Sequence, residues 1–128
     1  MCKHGSVLIV DDEPEIARSV GIRLRSVGYQ TLTAGDGMEG VSSAIEKRPD
    51  AIVMDVRMPR KDGLSALSEL RTHASTRHIP VVMLSASLVD QPAALDAGAL
   101  FFLKKPYEPK TLLAAVDKAI AEKSHSRN

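Results

Sequence analysis

The sequence predicts an α/β fold: one domain of (βα)5 order, with five parallel strands in a doubly wound sheet and helices on both faces. Two observations predict it. Four short runs are apolar without interruption, as strands buried on both faces of a parallel sheet are. Between successive strands lie longer segments whose apolar residues recur at helical spacing, and helical crossovers are what connect parallel neighbours.

The four runs are Val7-Leu8-Ile9-Val10, Ala51-Ile52-Val53-Met54, Val81-Val82-Met83-Leu84 and Leu100-Phe101-Phe102-Leu103. Tyr29 to Ala34 is more polar and alternates, so it reads as an edge strand. The first helix carries Ile16, Ala17, Val20, Leu24 and Val27 on one face. Asp12 is its expected N-cap, Pro14 sits in the first turn where a missing N–H costs little, and Gly28 is placed to end it. Met38, Val41, Ala44 and Ile45 mark a second helix that stops before Pro49, and Leu64, Leu67 and Leu70 mark a third. The fourth is short: Asp90 caps it, Pro92 opens it and Gly98 closes it, leaving about two turns. Leu112, Leu113, Val116, Ala119 and Ile120 mark the last. The ordered core is expected over residues 5–122, with Lys123 to Asn128 a fraying polar tail.

With 128 residues, 44% of them hydrophobic and 26% charged, the chain is one globular domain long enough to bury a core. Seventeen basic residues against sixteen acidic ones leave a net charge of +1, which gives no pull towards nucleic acid. The short basic run Arg57, Arg60, Lys61 is interrupted by Met and Pro. The single cysteine, Cys2, cannot form an internal disulfide and fits a reducing cytosol. No apolar run approaches a membrane span or a signal-peptide core, so a cytoplasmic protein without a membrane partner is expected. His4, His73, His78 and His125 are scattered without metal-ligand spacing and read as surface residues.

The polar residues cluster where strands end. Asp11, Asp12 and Glu13 follow the first apolar run, Asp55 follows Met54, Ser85 follows Leu84, and Lys104 and Lys105 follow Leu103. Right-handed crossovers put all carboxyl ends of a parallel sheet on one edge, where ligands bind at the point of strand-order reversal. Carboxylates gathered there repel unless a cation lies between them, and oxygen-only ligands with room for water suit Mg2+. A carboxylate is a competent nucleophile towards phosphorus. A lysine and a serine hydroxyl can hold phosphoryl oxygens. Metal, nucleophile and two clamps together read as phosphoryl transfer.

These residues resemble the response-regulator receiver domain over essentially the full length. The strings that carry the resemblance are Val-Asp-Asp-Glu-Pro (10–14), Met-Asp-Val-Arg-Met-Pro (54–59) with Asp-Gly (62–63), Leu-Ser-Ala (84–86), Ala-Gly-Ala (97–99) and Lys-Pro (105–106). The resemblance implies a flavodoxin-like strand order of 2-1-3-4-5 and a signalling phosphoacceptor rather than an enzyme. It implies Asp55 as phosphoacceptor, with Mg2+ (Mn2+ as a substitute) held by Asp11, Asp12, Asp55 and the Arg57 carbonyl. Ser85 hydrogen-bonds the phosphoryl group and Lys105, turned inward by a cis bond to Pro106, pairs with it. Lys104 then points to solvent. Ser85 and Phe102 match the hydroxyl and aromatic switch positions, and Arg57 and Ser87 match positions that tune acyl-phosphate lifetime.

The implied partners are a histidine kinase or histidine phosphotransfer protein and a downstream effector or output domain. The latter is reached through the face of the fourth helix, fifth strand and fifth helix, in a monomer or a phosphorylation-dependent dimer. The stretch from Ser85 to Gly98 is shorter than in the family's chemotaxis-type members, on the face that carries output. Two other functions compete. A Mg2+-dependent aspartyl-phosphate phosphohydrolase wants a second acid two residues after its nucleophile, where Arg57 stands. A flavin-binding protein wants a Ser/Thr/Gly-rich phosphate loop, where this chain has Asp-Asp-Glu-Pro.

Overall fold

The computed structural model describes residues 5–126, with side chains through residue 122. The elements alternate throughout: β1 (Ser6–Val10), α1 (Pro14–Ser26), β2 (Gln30–Ala34), α2 (Gly37–Lys47), β3 (Ala51–Asp55), α3 (Gly63–Thr72), β4 (Val81–Ser85), α4 (Gln91–Asp96), β5 (Phe101–Lys104) and α5 (Pro109–Ser126). A 3₁₀ turn, Leu88–Asp90, precedes α4. All strand pairs are parallel and the sheet order is β2-β1-β3-β4-β5. This is the predicted (βα)5 doubly wound sheet.

The uninterrupted apolar runs are explained by two cores, one per face. Leu8, Val10, Ile52, Met54, Val81 and Met83 face α2, α3 and α4. Val7, Ile9, Val53, Val82 and Leu84, their neighbours in sequence, face α1 and α5. Side chains alternate across a strand, so a strand covered on both sides must be apolar at every position. β2 is half-exposed, as an edge strand should be, and β5 at the other edge is half-buried despite its apolar sequence.

Several boundaries differ from expectation for local reasons. Glu13, not Asp12, is the N-cap of α1, without a side-chain cap; Asp11 takes the Glu13 N–H at 2.9 Å and leaves Asp12 exposed. Ile16 and Met38, expected on the buried stripes, are 37% and 58% exposed; each lies in the first turn of its helix, at the rim of the core. Tyr29 precedes β2, buried, with its hydroxyl donating to Asp117 of α5. Gly28 does end α1: at φ 99° it lets Gly28 N–H reach the Arg25 carbonyl and Tyr29 N–H reach that of Leu24. The backbone of α5 continues to Ser126, beyond the expected end of the ordered core. Cys2 and His4 lie outside the described residues, as does the side chain of His125; His73 and His78 are exposed.

Candidate functional site

The sheet register sets the strand ends level with one another. Val10 pairs with Met54, Asp55 with Leu84 and Ser85 with Lys104, so Asp11, Asp55, Ser85 and Lys105 stand along one edge. One carboxylate oxygen from each of Asp11, Asp12 and Asp55 lies within 4.8 Å of the other two. Asp11 and Asp55 are buried and Asp12 is exposed, giving the group one open side. Lys105 Nζ sits 3.1 Å from Asp55 Oδ1, and the Lys105–Pro106 peptide is cis. Lys104 is exposed, as its competition with Lys105 required.

This arrangement leaves negative charge in excess. Burial pushes the Asp55 carboxyl above the usual carboxylate range; Lys105 pulls it down, while Asp12 and Glu13 push it further up. Burial raises the Asp11 carboxyl too, opposed by the Glu13 amide and reinforced by Asp55. Burial alone would lower the Lys105 ammonium, but the hydrogen bond and charge of Asp55, with Asp11 behind it, hold it above its ordinary value. One ammonium does not balance three carboxylates. Their all-oxygen donor set, open to water on one side, fits a hard divalent cation such as Mg2+.

The loop behind Asp55 is held from several directions. Asp36 caps α2, accepting the Glu39 N–H at 2.9 Å, and also pairs with Arg60. Gly37 N–H donates to the Lys61 carbonyl at 3.1 Å, and Lys61 pairs with Glu69. Asp62 caps α3 through the Ser65 N–H at 2.8 Å. Met58 packs on the α2–α3 face of the core. Arg60 adopts φ 66°, a left-handed turn that carries the chain round this loop. Each residue of the short basic run is thus matched by a carboxylate: Arg57 by Asp90, Arg60 by Asp36, Lys61 by Glu69.

Ser85 is buried at the end of β4, and its hydroxyl donates to Asp90 Oδ2 at 2.6 Å. Arg57 grips the same carboxylate with Nε at 3.2 Å and a terminal guanidinium nitrogen at 3.1 Å. Asp90 stands at the N-cap position of α4, as expected, but its side chain makes no cap hydrogen bond there and is turned to Ser85 and Arg57 instead. The Ser85 hydrogen bond and then Arg57 hold that carboxyl below the usual range. Ser87 N–H donates to Ser85 Oγ at 3.1 Å, and Ser87 Oγ accepts from Val89 N–H at 3.2 Å. Phe102 lies beside Met83 in the register, half-buried against the α2–α3 face of the core.

Sequence reasoning missed Asp90 and Asp36 as members of this neighbourhood. Asp36 was legible as an Asp three residues before Glu39, a capping spacing. Asp90 carried no separate signal, because an acid one residue before a Gln-Pro helix start reads as a cap.

Three kinds of comparison bear on this geometry. A family model described as the response regulator receiver domain matches residues 7–117. The transcriptional regulatory protein PrrA of Mycobacterium bovis is 45% identical over 112 residues, covering 86% of this chain and 47% of its own length. The chain spans about half the length of the curated relatives it matches. Among solved structures, a putative response regulator from Chloroflexus aurantiacus superposes with TM-score 0.88 at 33% identity, covering 93% of this chain and 99% of that one. The receiver domain of a sensor histidine kinase from Pseudomonas aeruginosa, which has a magnesium ion coordinated in its active-site cleft, superposes with TM-score 0.86 at 34% identity, again covering 93% and 99%. Among the described residues, no helix is long and apolar enough to cross a membrane.

Proposed function

The chain belongs to the response regulator receiver domain family of two-component signalling, and from that premise we propose that Asp55 accepts a phosphoryl group from a histidine donor. The observation that carries this reading is the juxtaposition of three carboxylates within 4.8 Å with an ammonium 3.1 Å from one of them. Asp55 is the carboxylate that combines burial, a lysine partner and a place at the centre of the sheet edge.

In the reaction an Asp55 carboxylate oxygen attacks the phosphorus of a phosphohistidine. A P–O bond forms as the P–N bond breaks, and the imidazole leaves with the electron pair and takes up a proton. Asp11, Asp12, Asp55 and the Arg57 carbonyl would hold Mg2+, or Mn2+ in its place, which supplies charge neutralisation at the phosphoryl oxygens. Lys105 offers its ammonium to one phosphoryl oxygen and Ser85 its hydroxyl to another. Arg57 and Ser87 border the phosphoryl position and set how readily water reaches the acyl phosphate. Ser85 and Phe102 pass the change to the α4–β5–α5 face, which meets an effector or output domain.

The donor is a histidine kinase or a histidine phosphotransfer protein. The Pseudomonas neighbour supports the metal assignment, since it holds magnesium in its own cleft at 34% identity. The phosphohydrolase alternative finds no support, because the position for its general acid is Arg57, turned to Asp90. Phosphotransfer from a panel of purified histidine kinases tests the reading. Transfer to the wild type but not to Asp55→Asn is expected, and equal transfer to both would overturn it.

A further inference from the structure

The Ser85 hydroxyl has one proton to donate, and it is already donated, inside the protein, to Asp90 Oδ2 at 2.6 Å. Both oxygens of that carboxylate also accept from Arg57, at 3.2 and 3.1 Å. Asp90 is itself buried, at 8% exposure, although it stands at the start of a short surface helix. A carboxylate that collects a serine hydroxyl and an arginine fork presents what a phosphoryl group would present: anionic oxygens at the strand edge.

We propose that Asp90 is a positioning residue that competes with the phosphoryl group on Asp55 for the Ser85 hydroxyl and the Arg57 guanidinium. The proposal rests on the reading of Asp55 as phosphoacceptor. While Asp55 is unmodified, Asp90 holds both donors. A phosphoryl group draws the hydroxyl towards Asp55, and the hydroxyl cannot serve both acceptors at once. Of the two contacts the hydroxyl's weighs more. The Arg57 side chain is 69% exposed, so its ion pair is screened by solvent, whereas the Ser85–Asp90 bond is buried.

Loss of the hydroxyl leaves the Asp90 carboxylate with only the solvent-screened Arg57 pair to hold it, and frees it to move towards water. Asp90 closes the 3₁₀ turn Leu88–Asp90, whose Leu88 and Val89 are 55% and 81% exposed. That turn is tied down by Val89 N–H to Ser87 Oγ and Asp90 N–H to the Ser87 carbonyl, both at 3.2 Å. Phosphorylation is therefore reported first in this turn, where a displaced Asp90 carries two exposed apolar side chains with it.

The test uses beryllium trifluoride with Mg2+ as the phosphoryl mimic. Asp90→Ala should bind it on the order of tenfold more tightly than wild type, since removing a competing state raises apparent affinity. In a Ser85→Ala background, the same substitution should change affinity less than about twofold. In the wild type, the mimic should also speed hydrogen exchange of the Val89 and Asp90 amides, a readout that needs no variant to fold. Unchanged affinity in Asp90→Ala, or unchanged exchange of those amides with the mimic bound, overturns the competition while leaving Asp55 as acceptor. Absence of mimic binding to the wild type overturns the acceptor reading together with it.

Discussion

Gly63, the first residue of α3, stands so close behind Asp55 that a β carbon there would meet the Asp55 carbonyl oxygen at 2.2 Å. Met83 Cε and Val56 Cα, at 2.9 and 3.0 Å, close the remaining space. The Gly63 N–H also donates to the Val56 carbonyl at 2.7 Å, so the helix cannot back away without losing that bond. The phosphoacceptor candidate is thus seated on a helix N-terminus that only glycine fits.

Gly63→Ala is accordingly expected to destabilise the domain by about 1–3 kcal/mol, the range for forcing a methyl into packed space. It should also slow phosphoryl labelling, because the strain falls on the Asp55 backbone. Urea denaturation and a labelling time course check both; a stability within experimental error of wild type would contradict the contact.

Lys105 is expected to serve the phosphoryl group without holding the metal. In Lys105→Met the carboxylates lose the one ammonium that pairs with them among the described residues. Mg2+ affinity should hold or rise, while labelling by a small phosphodonor should slow by roughly tenfold or more, as when a charge-stabilising donor is removed. A fall in Mg2+ affinity with an unchanged labelling rate would reverse these roles.

Asp11 gives a pH-dependent prediction. Its folded-state carboxyl lies above 3.8, chiefly through burial, so its contribution to stability is full below the unfolded value and is lost as pH rises through the folded one. At neutral pH without metal the ionised carboxylate therefore opposes folding, and Asp11→Asn should raise Tm by a few degrees. The gain should vanish in acid. At Mg2+ tenfold above its Kd the wild type should gain about 1.4 kcal/mol, and Asp11→Asn much less. Thermal melts in chelator, in Mg2+ and across pH test this; a metal shift that persists in the variant would contradict it.

Asp36 has the opposite sign. The Glu39 amide, and then Arg60 against the cost of burial, hold its carboxyl below 3.8 in the folded state. Its stability contribution is present above 3.8 and is lost as pH falls through the lower folded-state value. Asp36→Ala should melt several degrees below wild type at neutral pH, with the gap closing in strong acid. A gap of constant size across that range would show that the charge of Asp36 plays no part.

What the sequence made legible follows from which interactions are local. The apolar runs at Val7, Ala51 and Val81, the glycine after α1 and the proline in its first turn each act within a few residues, so pattern alone located them. The clustering of Asp11, Asp55, Ser85 and Lys105 was legible because topology, not side-chain detail, gathers strand ends. Ile16 and Met38 misled because helical periodicity gives a face but not how far the core extends along it. Asp90 misled because a carboxylate before a helix has two outlets, the helix amides or a partner across the fold. Arg57 lies 33 residues away, beyond any local pattern.

Labelling of the chain with radiolabelled acetyl phosphate in Mg2+ tests Asp55 as phosphoacceptor most directly. One base-labile, hydroxylamine-sensitive phosphoryl group per chain is expected on the wild type, none without divalent metal, and none on Asp55→Asn. Equal labelling of Asp55→Asn, or labelling that persists in chelator, would contradict it.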